Sequence, residues 1–128
     1  MERKIYRPLP ECDMEKAMEI LDRGVTEELL LLPLSVGEYF EHWKPAQDIC
    51  VRLFEHKDAA VRANAALGLA YIARTKGRLD KRIVKPYLLR ELRENTQYRW
   101  RIVDAIQDIN LFLGWKIAEK MMERYAGT

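Results

Sequence analysis

The sequence predicts an all-α fold: one domain of stacked antiparallel helix pairs with about six to eight helices. Three observations lead there. Ala65, Ala66, Leu69 and Ile72 recur 37 positions later as Ile102, Val103, Ile106 and Ile109, with Arg62 and Arg99 preceding each set at the same distance. A period of that size belongs to stacked helix pairs, in which no unit buries its apolar face alone. Capping residues and glycines punctuate the apolar stripes at helix-length intervals. An apolar content of 48% in 128 residues is enough for one core, with little to spare. The clearest repeats are residues 45–77 and 80–114, and the N-terminal part is divergent.

Each element has its own local signal. Asp13 caps a short amphipathic helix through Met14, Ala17, Met18 and Leu21, and Gly24 ends it. Thr26 then caps a second helix, with Glu27 and Glu28 in the first turn where negative charge suits the macrodipole. The continuous run Leu29 to Leu32 expects burial on several sides, and Pro33 is expected to weaken or kink this helix. Ser35 and Glu38 have capping-box spacing, which predicts a further turn or two through Tyr39, Phe40 and Trp43. Pro45 opens the next helix, where its missing N–H costs nothing, and Ile49, Leu53 and Phe54 form its stripe as far as His56.

Asp58 caps the most apolar helix, Ala59 to Ala73, which is expected at the centre of the domain. Gly68 in its middle costs about 1 kcal/mol relative to alanine, so close approach of a neighbouring helix is expected there. Gly77 ends it and Asp80 caps the following helix, through Ile83, Leu88, Leu89 and Leu92 to Glu94. Pro86 implies either a bend or a start near Lys85. Asn95 is expected to cap the second copy of the repeated helix, which Gly114 ends. Ile117, Ala118, Met121, Met122 and Tyr125 then make the stripe of a terminal helix whose polar outer face suits the end of a stack.

The segment Asp58-Ala-Ala-Val61-Arg62-Ala-Asn-Ala65-Ala66-Leu67-Gly68, preceded by a helix of the form Pro45 to Leu53, resembles the HEAT repeat. That family pairs an outer helix with an inner helix opening on Asp, Val and Arg. The resemblance is good over 45–74 and fair over 81–113, where Asn95 and Tyr98 stand in place of Asp and Val. It implies a right-handed α-solenoid whose inner helices line one shared side. The looser pattern in residues 43–58, 72–80 and 104–109 is similar to small bacterial HEAT-like immunity proteins of contact-dependent or polymorphic toxin systems. Such a likeness implies a toxin domain as partner.

Charge is unevenly distributed. Residues 1–51 hold 6 Lys+Arg against 11 Asp+Glu, a balance of −5, whereas residues 52–103 hold 13 against 5, a balance of +8. Such asymmetry steers an oppositely patterned partner or a nucleic acid, or it simply solvates helix faces. No apolar run reaches membrane-span length and the first residues lack a secretory pattern, so a cytoplasmic protein with Cys12 and Cys50 as reduced thiols is expected.

No enzyme is expected. The sequence contains no phosphate loop, nucleophile elbow or zinc-binding histidine pair, and His42 and His56 have no metal-ligand neighbours at suitable spacing. Asp104 and Asp108 form an i, i+4 carboxylate pair that would need further ligands to hold a metal. No catalytic residue, metal or cofactor is therefore expected.

Function is expected on the surface. If Ala65, Leu69 and Ile72 face the core, Asn64, Tyr71 and Arg74 share another face of the same helix, and its second copy shows Arg101, Asp104 and Asp108 there. These six are the predicted partner-binding residues, Tyr and Arg being the types that dominate interfaces. The local alternative pairs Arg101 with Asp104 at i, i+3 and packs Tyr71 into the core. The leading expectation is a non-catalytic protein-binding module, an immunity protein that is a monomer when free. A nucleic-acid-binding module using Arg90, Arg93, Arg99 and Arg101 near Tyr98 and Trp100 competes with it, as does a scaffold that oligomerises through exposed stack ends, Trp43 or Trp115 included.

Overall fold

The computed structural model describes residues 8–126 and, among them, is all-helical with no strand. Seven helices follow one another: α1 (Met14–Arg23), α2 (Thr26–Tyr39), α3 (Trp43–Leu53), α4 (Ala59–Lys76), α5 (Lys81–Glu94), α6 (Arg99–Leu113) and α7 (Glu119–Ala126). α4 is the centre. It packs most extensively on α2 and α6 and also on α3, while α1 and α3 pack on α2 and α5 on α6.

The core follows the predicted stripes of α4 and α6 and most of that of α5, whereas Met14 and Met18 of α1 and Ile83 of α5, expected on apolar stripes, are exposed. Leu69 and Ile72 of α4 and Ile102, Ile106 and Ile109 of α6 are fully buried, as are Leu88 and Leu92 of α5. Gly68 marks the expected close approach. A Cβ placed there would lie 2.7 Å from both Cβ and the carbonyl oxygen of Pro33 and 2.8 Å from Sγ of Cys50. Gly37, opposite, would meet Cβ of Tyr71 at 2.7 Å. α2 and α4 therefore touch through glycines because any larger residue would push them apart.

The predicted caps at Asp13, Asp58 and Asp80 are in place. Their carboxylates accept from Lys16 N, from Ala60 N and Val61 N, and from Arg82 N respectively. Gly24, Gly77 and Gly114 end their helices in the left-handed conformation, which glycine adopts without a Cβ penalty.

Several boundaries differ from expectation. α2 runs unbroken through Pro33 to Tyr39, so Ser35 is a buried interior residue rather than a cap, and Val25, not Thr26, precedes the helix. Burial of Pro33 against α4 compensates the missing backbone bond. α3 starts at Trp43, placing Pro45 in its first turn, and ends at Leu53. α5 starts at Lys81 and carries Pro86 inside a continuous helix. Asn95 ends α5 and does not cap α6, whose first residue is Arg99. Its buried amide donates to the carbonyl of Ala59 and to Glu91, and its Oδ1 accepts from Tyr98 N. α7 begins at Glu119, after Ala118 at φ 57°.

Several polar contacts between elements join residues a similar distance apart in sequence. Asn64 to Leu30, Arg74 to Glu38, Thr75 to Gly37, Asp80 to Gln47, Arg90 to Phe54, Asn95 to Ala59 and Arg101 to Asn64 all join residues 33 to 38 apart. The two arginines that precede the repeated stripe also act alike. Arg62 donates to the carbonyls of His56 and Lys57, and Arg99 to those of Leu92 and Arg93, so each ties its helix to the residues just before it. Arg62 alone also reaches Glu91, a carboxylate only 2% exposed that Arg90 holds from the other side. Cations and hydrogen bonds thus replace the water that burial removes from this carboxylate.

Candidate protein-interaction face

Among the described residues, α2, α4 and α6 each leave one stripe exposed or half-exposed, and hydrogen bonds join these stripes into a single strip. On α4 the stripe is Asn64, Leu67, Tyr71 and Arg74, spaced at three and four residues so that they stack along one side of the helix. On α2 it is Glu27, Leu31, Leu34 and Glu38, and on α6 it is Arg101, Asp104, Asp108 and Leu111. Asn64 is the junction. Its Nδ2 donates to the carbonyl of Leu30 at 2.8 Å, and its Oδ1 accepts from Nη1 of Arg101 at 2.9 Å. One side chain thus links three helices, which fixes the strip before anything binds.

The six predicted residues lie where the spacing placed them, though they divide by role. Asn64 and Arg101 are half-buried and bonded to each other, so they act first as structure. Arg101 does not pair with Asp104; its guanidinium lies 5.0 Å from the centre of the Tyr98 ring. Tyr71 is half-buried rather than in the core, with the Arg74 guanidinium 5.0 Å from its ring centre. Arg74 also pairs with Glu38 at 3.2 Å, with both side chains in solvent. Asp104 and Asp108 are exposed and make no ion pair among the described residues.

Leu67, in the middle of the α4 stripe, was not among the predicted contacts. It lies inside a nearly unbroken apolar run, where neighbours give no contrast, yet its three- and four-residue spacing from Asn64 and Tyr71 marks it. Leu31, 44% exposed on α2, was likewise expected in the core. The strip therefore has an apolar middle formed by Leu34, Leu67 and Tyr71. Among the described residues Glu27, Asp104 and Asp108 form no ion pair along it, while its two arginines are already engaged.

The basic middle of the sequence does not converge on one patch around Trp100. Arg90 is committed to Glu91 and the carbonyl of Phe54, Arg99 to two carbonyls and the ring of Tyr125, and Arg101 to Asn64. Arg93 alone of the four is exposed and has no such tie among the described residues. The cations that do align, Arg82, Lys85 and Arg93, are exposed along α5. Trp43 and Trp115 are half-buried under Arg78 and Lys81 respectively, so neither is an open stack end. Trp100 is the tryptophan that faces water, 65% exposed.

Chemistry-bearing groups are dispersed. Among the described residues no three of His, Cys, Asp and Glu come together as a metal site would require. Cys12 and Cys50 are free and buried, and burial pushes both thiols up, which disfavours the nucleophilic thiolate. Nδ1 of His56 accepts from the backbone N–H of Asp58, a structural use. No helix among the described residues is long and apolar enough to cross a membrane. No family model, curated protein or solved structure matches the chain.

Proposed function

We propose that the chain is a non-catalytic protein-binding module, a HEAT-like right-handed stack of antiparallel helix pairs that acts in the cytoplasm as an immunity protein neutralising a cognate toxin domain. The observation that carries this reading is the preorganised strip across α2, α4 and α6, in which an apolar middle lies among exposed carboxylates. A surface already fixed by Asn64 and Arg101 loses little conformational freedom on binding, so more of its contact energy appears as affinity. Polar bonds at a separation near 37 residues support the repeated stack. Resemblance to small immunity proteins supplies the toxin as partner class, and the charge of the strip specifies a basic surface on it.

Co-expression with the product of the neighbouring toxin gene tests the reading. Protection of the host and recovery of a complex are expected. Tyr71→Ala combined with Asp104→Lys and Asp108→Lys should then weaken the complex at least tenfold while circular dichroism and melting stay unchanged. Unchanged affinity in that variant would remove the strip from the interface. For the competing nucleic-acid reading, the aligned cations of α5 are the relevant surface, and a steep loss of binding with rising salt is its signature.

A further inference from the structure

A groove of about 540 Å³ runs between α6 and α7, lined on α6 by Gln107, Asn110 and Leu111. Leu111, Trp115 and Met122 supply its apolar lining, and its charged lining residues are Glu119 and Glu123, one turn apart on α7. Neither glutamate makes an ion pair among the described residues. Leu111 is 75% exposed, more than any other large apolar side chain described. The groove is also held open. Asn110 clips the backbone of Ile117 through both its N–H and its carbonyl, at 2.9 and 3.1 Å, and the left-handed Ala118 then turns α7 away.

We infer that this groove receives one amphipathic helix from a protein partner, carrying apolar side chains beside two Lys or Arg residues one turn apart. Apolar residues would cover Leu111, Trp115 and Met122, and the cations would face Glu119 and Glu123. A second copy of the chain fits less well. The opposite end of the molecule exposes Glu11, Asp13, Glu15 and Glu19, so head-to-tail stacking would bring like charges together. The basic stripe of α5 has the right sign but no large exposed apolar side chain along it, since Leu89 is half-buried and Ile83 lies about a third of a turn away. The inference stands independently of the toxin reading, because the groove and the α2–α4–α6 strip meet only at Leu111.

The probe is a synthetic Leu/Lys amphipathic peptide of about five helical turns, titrated into the full chain beside a Leu/Glu counterpart. Saturable binding of the Leu/Lys peptide is expected, with amide shifts confined to residues 107–123 and no binding of the Leu/Glu peptide. Glu119→Lys with Glu123→Lys should lower the affinity at least tenfold, as should Leu111→Ser, whereas Tyr71→Ala with Glu27→Lys, both far from α7 in the strip, should leave it within twofold. Shifts centred on another surface, equal binding of both peptides, or indifference to the Glu119/Glu123 exchange would each overturn the inference. So would concentration-dependent dimerisation in sedimentation that the same exchange abolishes, since the groove would then belong to a second copy.

Discussion

α4 and α6 carry the two copies of the apolar pattern that recurs 37 residues apart, and the differences between them record what lies beside each. Ala63 and Ala70 of α4 are buried, while the residues 37 positions later, Trp100 and Gln107, are exposed. Ala105 follows Gly68 in the same register, and Arg99 follows Arg62 but lacks a carboxylate like Glu91. α4 has α2 and α6 as close neighbours and α3 beside them, whereas α6 has α4 and, less extensively, α5. Small residues therefore mark positions where helices touch. Large or polar residues at the same positions mark a side left open, and the α6–α7 groove draws on one of them, Gln107.

The largest test of that contrast is the carboxylate present on one side only. Glu91→Ala should cost about 3–5 kcal/mol, because it leaves Arg62 and Arg90 facing each other without their buried counter-ion and also unties Asn95. Urea denaturation reads this as a drop in midpoint at constant slope. Arg99→Ala should cost less than Arg62→Ala, since only backbone acceptors and a ring lose their partner. Equal losses at the two arginines would mean that the junction at Glu91 contributes no more than the carbonyl contacts do.

Exchanging residues between equivalent positions sharpens the contrast further. Ala63→Trp puts the α6 residue into the fully buried α4 site and should cost about 3 kcal/mol or more by overpacking. Trp100→Ala makes the reverse change in solvent and should stay within about 0.5 kcal/mol. Gly68→Ala belongs with the former, at about 1–3 kcal/mol, because the added Cβ meets Pro33 backbone and Cys50. Thermal melting of the three variants checks all of these.

How much of this the sequence revealed depends on whether a residue's spacing or its partner decides its place. Asn64, Tyr71 and Arg74 were legible because three- and four-residue spacing fixes a face whatever surrounds it. α2 read as broken at Pro33, since a proline's cost is local and visible while its packing against Gly68 is distant in sequence. Asn95 read as a cap for the same reason: its type suits that role, yet its amide is used across the α4–α5 junction. Glu91 was overlooked although the signal was present. It sits on the buried stripe of α5 beside Leu88 and Leu92, and a carboxylate on such a stripe implies cations brought to it from elsewhere. The groove beside α7 had no sequence signal because it depends on where Ala118 turns the chain.

That turn gives the smallest test. α4 and α6 both exit through a left-handed glycine, Gly77 and Gly114, and Asp80 then caps α5 directly. The α6–α7 link instead adds a second left-handed residue, Ala118, at a position where an L side chain costs about 1–2 kcal/mol. Ala118→Gly relieves that strain but also enlarges the freedom of the unfolded chain, so a net stabilisation of about 0.5–1 kcal/mol is expected. Amide exchange in α7 should slow in that variant while exchange in α4 is unchanged. Loss of stability instead would show that the Asn110–Ile117 clip does not hold the linker in this geometry, and the open side of α6 would then be covered differently from the side of α4.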